Sequence, residues 1–279
     1  MSSTVSPVEI VSLPAAKAWD AKTDHYLASW PVMNRPLERK AFEFLPTLPV
    51  EAIIHVAGVG GGQEILPLVR LYPGNMIIAS DVAENMVRRT QFMLDRHPRR
   101  FPVHPVQADI HTPPVWGVDA AISLFTVHLV RHPVEAIRAQ WESLAPGGML
   151  AALYFPPLPL GEEGPLVSLY KAMRKLVDKP PSSWEDRALS LLHESGAEKV
   201  ARREIMARWQ YKSLEQVMPV FEALPHIAGI RKRMGDEAYE ALWRHFHDDP
   251  GVYMEGDSLF GAVGAVLLTA IKPGTSVEE

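Results

Sequence analysis

The sequence predicts an α/β protein in which a mostly parallel sheet is covered by helices on both faces. Short apolar runs alternate along the chain with segments of helical periodicity, which is the pattern of such a sheet. The first run, residues 53–57, leads directly into a glycine-rich turn, and the second ends at Asp81, 23 residues after Gly58. Glycines after one strand and an acid at the end of the next are typical of a nucleotide site, because the glycines allow close backbone approach and the acid can accept from ribose hydroxyls.

The first part of the predicted sheet contains two strands, each followed by a helix. Residues 53–57 form the first strand, and a helix over residues 63–71 follows and stops at Pro73-Gly74. Residues 76–80 form a buried second strand, and the next helix runs from about residue 84 to residue 96. The glycine turn and Asp81 therefore each follow directly on a strand.

The middle of the chain adds three strands and one helix. Residues 103–107 and residues 119–125 are predicted as the third and fourth strands, and both suit the centre of the sheet. Pro133 fits the first turn of the following helix, which we expect to end at Ala145-Pro146-Gly147-Gly148. Residues 149–155 then form the fifth strand.

The last part of the chain departs from this regular alternation. Residues 156–165 are rich in proline and glycine, and we expect a loop over the site there. Residues 182–185 spell a capping box for a helix that runs to about Glu194. Residues 200–209 and 258–272 are the last two strands, which we expect to pair antiparallel.

The predicted organisation is one main domain with cap segments. Residues 1–50 are expected to be an N-terminal helical cap segment, and residues 51–279 the main domain. Further cap insertions are expected at about residues 156–182 and 212–256, the second opened by another capping signature at residues 213–216. Helical pieces are expected within the second insertion around Pro219, Pro225 and Asp236.

Composition excludes several classes of site. The sequence has no cysteine, which excludes disulfides, thiolate zinc sites, cysteine nucleophiles and cysteine-held iron–sulfur clusters. A formal charge of −5 argues against a nucleic-acid surface, which usually needs a basic face. The longest apolar run, residues 259–271, contains two glycines and is shorter than the roughly 18 to 20 residues of a membrane span. We therefore expect a cytoplasmic protein without nucleic-acid or membrane partners, which can form a homo-oligomer.

Five short motifs follow one another at ordinary spacing over roughly residues 50 to 155. They are, in chain order, Gly58-Val59-Gly60-Gly61-Gly62, Ser80-Asp81-Val82-Ala83-Glu84-Asn85-Met86, Ala108-Asp109-Ile110, the segment from Ser123 to His128, and Leu144-Ala145-Pro146-Gly147-Gly148. Each alone is weak, but together they resemble the ordered motifs of class I S-adenosylmethionine-dependent methyltransferases. The resemblance implies a Rossmann-like sheet of seven strands with an antiparallel last strand, and S-adenosylmethionine as the cofactor.

The resemblance implies a role for each matched position. The glycines would line the turn beneath the methionine part of the cofactor, Asp81 would hold the ribose hydroxyls, Met86 would pack on the adenine, and Asp109 would receive the adenine amino group. Without the resemblance, the glycines also fit a tight turn with no ligand, and Asp109 a helix cap. The cofactor-binding candidates are Gly58, Gly60, Gly62, Gln63, Asp81, Met86, Asp109, Ile110 and Ser123.

Two rival nucleotide sites do not fit the same glycines. The dinucleotide fingerprint needs a third glycine three residues after the second, and Gln63 stands there. The phosphate-binding loop with its lysine and serine or threonine is absent from the sequence. A bound nicotinamide and an ATPase of that type are therefore disfavoured.

The chain departs from the family at Val56. Class I methyltransferases commonly carry an acid two residues before the first motif glycine, where it helps to hold the methionine amino group, and here that position is Val56. The adjacent His55 should point to the opposite side of the strand. The amine is then left to backbone carbonyls or to Gln63, or is freer than usual.

His128 is the candidate catalytic base. Methyl transfer is an in-line displacement at a sulfonium methyl, so the protein mainly aligns the acceptor, excludes water and removes a proton where the acceptor carries one. His128 lies just beyond the fourth strand, where it could also be only a wall residue. Trp19, Tyr26 and Trp30 are spaced to share one helical face. The aromatic candidates for the substrate site and lid are Trp19, Tyr26, Trp30, Phe125, Tyr154, Tyr170 and Tyr211.

The predicted function is transfer of a methyl group from S-adenosylmethionine to a small-molecule acceptor. A first alternative is a cyclase, in which the cofactor's own amine attacks its side chain to give azetidine-2-carboxylate and methylthioadenosine. Val56 in place of the anchoring acid is compatible with it. A second alternative is a catalytically inactive binding module.

Two other motifs suggest different chemistry and are weaker. Gly256-Asp257-Ser258-Leu259 spells an esterase signature, but no histidine follows Ser258, so a loop that enters the last strand is the better interpretation. Residues 245–249 contain two histidines and two acids, but they fit a helix end better than a metal site. We therefore expect no metal.

Overall fold

The structure, a computed structural model, describes residues 13–176, 183–213, 221, 231–232 and 235–274. The strands are β1 (Ile53–Ala57), β2 (Met76–Asp81), β3 (Val103–Gln107), β4 (Val118–Leu124), β5 (Leu144–Tyr154), β6 (Glu198–Tyr211), β7 (Tyr253–Glu255) and β8 (Ser258–Ile271). The helices are α1 (Leu13–Asp20), α2 (Thr23–Phe42), α3 (Ile65–Leu71), α4 (Glu84–Arg96), α5 (Pro133–Glu142), α6 (Pro165–Leu176), α7 (Trp184–Glu194) and α8 (Asp236–Asp248).

One sheet organises these elements, in the order β3-β2-β1-β4-β5-β8-β6, with the short β7 paired to β8. The first five strands are parallel to one another, and β8 is antiparallel to β5, β6 and β7. The predicted fold class is confirmed, with β7 as an addition to the seven expected strands. The direction of strand order reverses between β1 and β4, which is where a crevice for a ligand opens in a sheet of this kind.

Two buried clusters of apolar side chains cover the two faces of the sheet. Alternate residues of β1 point to opposite faces: Ile54 and Val56 belong to the cluster that also contains residues of α2 and α4. His55 points the other way, as expected, and its Nε2 lies 2.8 Å from Ser80 Oγ. Burial lowers the pKa of His55 to about 4, so the imidazole is neutral and belongs to the core.

The prediction that β3 is a central strand is wrong. β3 pairs only with β2 and forms one edge of the sheet. Its middle residue is Pro105, which has no N–H to donate and is therefore suited to an edge strand. The apolar content of residues 103–107 indicated a strand but not its place in the sheet.

The fifth strand begins earlier than its sequence indicated. β5 starts at Leu144, so the segment Ala145-Pro146-Gly147-Gly148 lies inside the strand and does not separate it from α5. The register between β4 and β5 shifts at this point, between Val118 and Ala120. Gly147, at φ +80°, permits the irregularity, and its N–H donates to the carbonyl of Lys272 on the neighbouring chain segment.

The capping box at residues 182–185 predicted the helix that is α7, but Ser182, the first residue of the box, lies outside the described residues. Ser183, the residue before α7, makes no side-chain bond to the helix. Glu185, the expected partner, accepts from Tyr154 Oη at 2.8 Å and from Arg202 Nε at 2.7 Å. Its carboxylate therefore makes tertiary contacts with the sheet.

The cap segments are described in part. α1 and α2 are helices as expected, and α2 packs on β6. The loop over residues 156–165, all of which the structure describes, packs on the outer strands: the position of a Cβ on Gly164 would be 2.1 Å from the carbonyl oxygen of Ala262 in β8. The capping signature at residues 213–216, apart from Ser213, and the expected pieces at Pro219 and Pro225 lie outside the described residues. The expected piece around Asp236 is α8, and α8 contacts α6.

The esterase-like motif at residues 256–259 and the histidine-containing segment at residues 245–249 lie in a turn and at a helix end. Gly256 and Asp257 form the two-residue turn between β7 and β8, and Gly256 has φ +60° as such turns need. His245 and His247 lie in the last turn of α8. Within the described ranges, no helix has the combined length and apolarity that crossing a membrane requires.

Candidate active site

A cavity of about 530 Å³ opens at the carboxyl ends of the parallel strands. The segments that follow β1, β2, β3 and β4 form its floor and sides, and α1 and the start of α2 cover it. Its lining residues include Ala15, Trp19, Tyr26, Gly58, Gly60, Asp81, Met86, Asp109, Ile110, His111, Phe125, Thr126, Leu129 and His132. Six of the nine predicted cofactor-binding residues therefore lie at one place.

The glycine turn after β1 forms one end of the cavity. Gly58, Gly60 and Gly62 all have positive φ, at +77°, +54° and +81°. A Cβ on Gly58 would lie 2.2 Å from Thr126 Oγ1, so no other residue fits there without movement. The N–H groups of Gly58 and Val59 both donate to the carbonyl of Ser80, at 2.8 and 2.9 Å, which ties the turn to β2.

Asp81 connects this turn to the rest of the cavity. Its Oδ2 accepts from the N–H of Gly60 at 2.9 Å, and its Oδ1 accepts from the N–H of Ala83 at 2.9 Å. Burial raises the pKa of Asp81 to about 6, and the backbone bonds act in the opposite direction. The carboxyl group is therefore ionised at neutral pH, and each oxygen keeps a lone pair for a further donor.

Asp109 and His111 form an ion pair at the other end of the cavity. Asp109 Oδ1 accepts from the N–H of His111 at 3.0 Å and lies 2.6 Å from His111 Nδ1. The other ring nitrogen, Nε2, lies 3.0 Å from the carbonyl oxygen of His132. Both nitrogens face acceptors, which is an arrangement that favours the protonated imidazole, and its bond to Asp109 raises the pKa of His111 above its ordinary value.

Sequence reasoning missed His111. A histidine two residues after the motif acid is a usable signal, since a side chain at that spacing can turn back onto the acid. Thr126, Leu129 and His132 also line the cavity and were not predicted. They come from the segment between β4 and α5, of which the sequence singled out only Phe125 and His128.

The pH dependence of stability tests this ion pair. A histidine whose pKa is raised in the folded state stabilises the fold below its unfolded pKa, near 6.5, and this contribution is lost as pH rises through the folded value. We expect the difference in unfolding free energy between the wild type and His111→Gln to shrink as pH rises above 6.5. His193→Gln, an exposed site on α7, is the control and should show no such trend. A difference that stays constant with pH would show that His111 is not held as a cation.

Comparison with known proteins bears on residues of this same cavity. Residues 55–152 match a family model described as a methyltransferase domain, from His55 in β1 to Ala152 in β5. The match agrees with the predicted resemblance to methyltransferases over this part of the chain. No curated protein matches the chain.

Solved structures with a similar fold include a cyclase. The [4+2]-cyclase SpnF is 18% identical with a TM-score of 0.59, and the alignment covers 95% of this chain and 97% of that one. The YcgJ protein of Bacillus subtilis is 14% identical with a TM-score of 0.55, over 86% of this chain and 99% of that one. At these identities the likeness shows the fold, which is that of the class I methyltransferases.

A third solved structure is a complex with S-adenosylmethionine. Phosphoethanolamine N-methyltransferase 2 of Haemonchus contortus, in complex with S-adenosylmethionine, is 14% identical with a TM-score of 0.51. The alignment covers 93% of this chain but 57% of that one. Together with the family match over residues 55–152, it supports S-adenosylmethionine as the cofactor.

Three of the predicted cofactor-binding residues do not line the cavity. Gly62 lies against Thr90, and the Gln63 amide lies next to Gly60, with Nε2 3.9 Å from where a Cβ on Gly60 would be. Ser123 is buried in β4 and points away from the cavity, since its neighbours Ile122 and Leu124 pack on the cavity side.

His128 stands just outside the lining of the cavity, beside Thr126 and Leu129, which do line it. Its ring centroid lies 5.4 Å from that of Phe155 and 6.5 Å from that of Phe125. Phe125 has φ +55°, which is unusual for a bulky residue and turns the chain sharply after β4. After this turn Phe125 lines the cavity, and His128 lies beside it.

The aromatic candidates fall into two groups. Trp19, Tyr26 and Phe125 line the cavity. Trp30 continues from Tyr26 on α2 and packs edge-on against Trp209, 5.8 Å away, which in turn contacts Tyr211. The spacing suggested that Trp19 shares a helix with Tyr26 and Trp30, but Trp19 lies on α1. Its ring meets that of Tyr26 edge-on, with the centroids 5.5 Å apart.

Tyr154 and Tyr170 lie away from this aromatic group. Tyr154 points to the opposite face of the sheet, where it packs on Trp184 at 4.9 Å and donates to Glu185. Tyr170 lies half-buried on α6, outside the cavity lining. The alternation of β5 explains the first case, because Phe155, the next residue, contacts Trp30 and Phe125.

Proposed function

We propose that the protein binds S-adenosylmethionine in the cavity and transfers its methyl group to a small-molecule acceptor. The observation that carries the proposal is the meeting of the positive-φ glycines with the buried carboxylate of Asp81, which accepts from Gly60. A backbone without side chains and a carboxylate with lone pairs to spare are what a nucleoside with two hydroxyls requires.

The residues fit the parts of this cofactor in order. In the proposal the ribose hydroxyls donate to Asp81, the adenine lies between Met86 and Ile110, and its amino group faces Asp109. The methionine part runs over Gly58 and Gly60, beside Tyr26 and Thr126. A cavity of about 530 Å³ is within the range of small-molecule sites.

The bound cofactor would supply an electrophilic methyl group, and the chain would align the acceptor and keep water out. Trp19 and Tyr26 cover the cavity from α1 and α2, and Phe125 closes the side after β4. In the proposal His128 takes the proton from a hydroxyl or amine acceptor, within a wall formed with Phe155. The net charge of −5 and the aromatic wall favour a small metabolite over a nucleic acid.

Cyclisation of the cofactor is the second candidate. Val56 carries no carboxylate and is fully buried among apolar side chains, so β1 does not supply the usual partner of the cofactor's amine. An amine without a partner could attack the cofactor's own side chain. The products would then be azetidine-2-carboxylate and methylthioadenosine, and no acceptor would be needed.

The two reactions differ in their products. We expect purified protein with S-adenosylmethionine alone to release no methylthioadenosine above the rate without protein, and to form S-adenosylhomocysteine only when a mixture of small metabolites is added. The measurement is chromatography of both nucleosides, with methyl-labelled cofactor to isolate the acceptor. His128→Gln should slow methyl transfer by about 100-fold or more.

Two results would contradict methyl transfer, and a third would contradict only the role of His128. Methylthioadenosine formed without an acceptor would favour the cyclase, and saturable cofactor binding with no product under any condition would favour the inactive binding module. Unchanged turnover in His128→Gln would remove His128 as the base while leaving methyl transfer in place.

A further inference from the structure

Buried hydrogen-bond acceptors collect between α2 and the start of α3, beside the glycine turn. Oε2 of Glu64, Oε1 of Gln63 and Oδ1 of Asn34 are enclosed and have no hydrogen-bond partner within the part of the chain that the structure describes. Glu64 and Asn34 are each only 1% exposed. Glu38, 4% exposed, lies one helical turn after Asn34, so the two side chains share one face of α2. The amide oxygens of Gln63 and Asn34 can only accept, and so can Glu64 Oε2 when its carboxyl is ionised, so in that state the missing partner is a donor.

The charges around Glu64 point to a positively charged donor. Burial raises the pKa of Glu64 well above its ordinary value, and the neighbouring charges that act on it, Glu38 and Asp81, are acids that raise it further. Burial also raises the pKa of Glu38 to about 7, although the nearby Arg35 acts in the opposite direction. Carboxyl groups in such surroundings are costly to ionise unless a cation is bound beside them.

Tyr26 and Gln63 connect these acceptors to the cavity. Tyr26 lines the cavity, and its Cε1 lies 3.9 Å from the position of a Cβ on Gly60. Its phenol is close enough to Glu64, Glu38 and Asp81 for all three to raise its pKa. The Gln63 amide reaches the same point on Gly60, also at 3.9 Å. The acceptors therefore adjoin the part of the glycine turn on which the methionine portion of the cofactor would lie.

We propose that Glu64, with Glu38 behind it, binds the ammonium group of the cofactor's amino acid portion, in place of the acid that β1 lacks at Val56. A primary ammonium carries one positive charge and three donor hydrogens, which matches three unpartnered acceptors, one of them a carboxyl oxygen, with a second buried carboxyl nearby. A water molecule would supply two donors and no charge. The inference rests on the proposed function, because it assigns a partner within the same cofactor site. It also disfavours cyclisation, which needs that amine released.

A thermodynamic cycle on ligand and protein tests the inference. Calorimetry would measure the affinity of wild type and Glu64→Gln for S-adenosylhomocysteine, for its analogue without the amino group, and for methylthioadenosine, which lacks the amino acid portion. We expect Glu64→Gln to weaken the binding of S-adenosylhomocysteine by about 10- to 100-fold. The affinities for the other two ligands should not change. Glu38→Gln should act in the same direction with a smaller effect. Glu194→Gln, an exposed site on α7, is the matched control.

The ligands also report whether the variant is folded. Glu64→Gln is isosteric and removes a buried carboxyl, so its melting temperature should equal or exceed that of the wild type, and its unchanged affinity for methylthioadenosine shows an intact nucleoside site. Wild-type affinity of Glu64→Gln for S-adenosylhomocysteine would overturn the inference, as would equal losses for all three ligands. If the wild type binds none of them, the proposed function itself fails, which is a distinct result.

Discussion

Asp81→Ala is expected to weaken binding of S-adenosylhomocysteine by about 100-fold or more, because two hydroxyl bonds to a buried carboxylate are lost at about 1.5 kcal/mol or more each. The substitution also leaves the N–H groups of Gly60 and Ala83 without their acceptor, which loosens the glycine turn. Calorimetric titration measures the effect directly. Asp186→Asn, an exposed carboxylate on α7, is the control and should bind as the wild type does.

The pH dependence of the same titration gives a second check on Asp81. The ionised carboxylate is the form that accepts both hydroxyls, and burial raises the pKa of Asp81 to about 6 before a ligand is bound. Affinity should therefore fall as pH decreases through 6 and stay level between pH 7 and pH 8. Unchanged affinity in Asp81→Ala would show that the nucleoside does not bind at this end of the cavity.

Gly58→Ala is expected to destabilise the fold by about 3 kcal/mol and to abolish detectable cofactor binding. The alanine would be strained at φ +77°, and its Cβ would meet Thr126 Oγ1 at 2.2 Å. Left-handed strain costs about 1 kcal/mol and overpacking about 1 to 3 kcal/mol. Chemical denaturation and calorimetry would measure the two effects.

Gly147→Ala is the matched control for Gly58→Ala. Gly147 has nearly the same backbone angle, φ +80°, but no heavy atom lies within 4 Å of where its Cβ would be. Gly147→Ala should therefore lose only the stability that backbone strain costs, about 1 kcal/mol, and should bind the cofactor as the wild type does. Equal losses of stability in the two variants would show that the contact between Gly58 and Thr126 is not tight. Recovery of stability when Thr126→Ala is added to Gly58→Ala would show that the contact is tight.

Local patterns predicted the parts of the fold that depend on neighbours in sequence. The bounds of β1, β3 and α4 agree with the expected ranges, since each is a short periodic segment between glycine, proline or acidic residues. The same patterns placed Gly58 and Asp81 on adjacent strands. Their meeting through the bond from Gly60 follows from parallel pairing of β1 and β2.

Features set by contacts distant in sequence could not be predicted in this way. The position of β3 at the sheet edge depends on which strand pairs with which, and Pro105 was the one local sign of it. Glu185 belongs to a capping pattern, but a tyrosine 31 residues earlier takes its carboxylate. Glu38 and Glu64 come together from α2 and the turn before α3, and neither stood out in the sequence.

The candidate site was predicted best where strand ends determine it. Asp81 ends β2, Met86 and Asp109 follow β2 and β3, and all three line the cavity. Predictions within strands were less successful, because a shift of one residue reverses the direction of a side chain. Ser123 and Tyr154 point away from the cavity. Phe125 and Phe155, each one or two residues further along, pack against each other on the cavity side.

A crystal structure of the protein with S-adenosylhomocysteine tests the central claim most directly. The account predicts both ribose hydroxyls within hydrogen-bond distance of Asp81, the adenine against Met86, and the amino acid portion over Gly60. Density for the ligand at another place, or an empty cavity at a ligand concentration that saturates binding in solution, would contradict it.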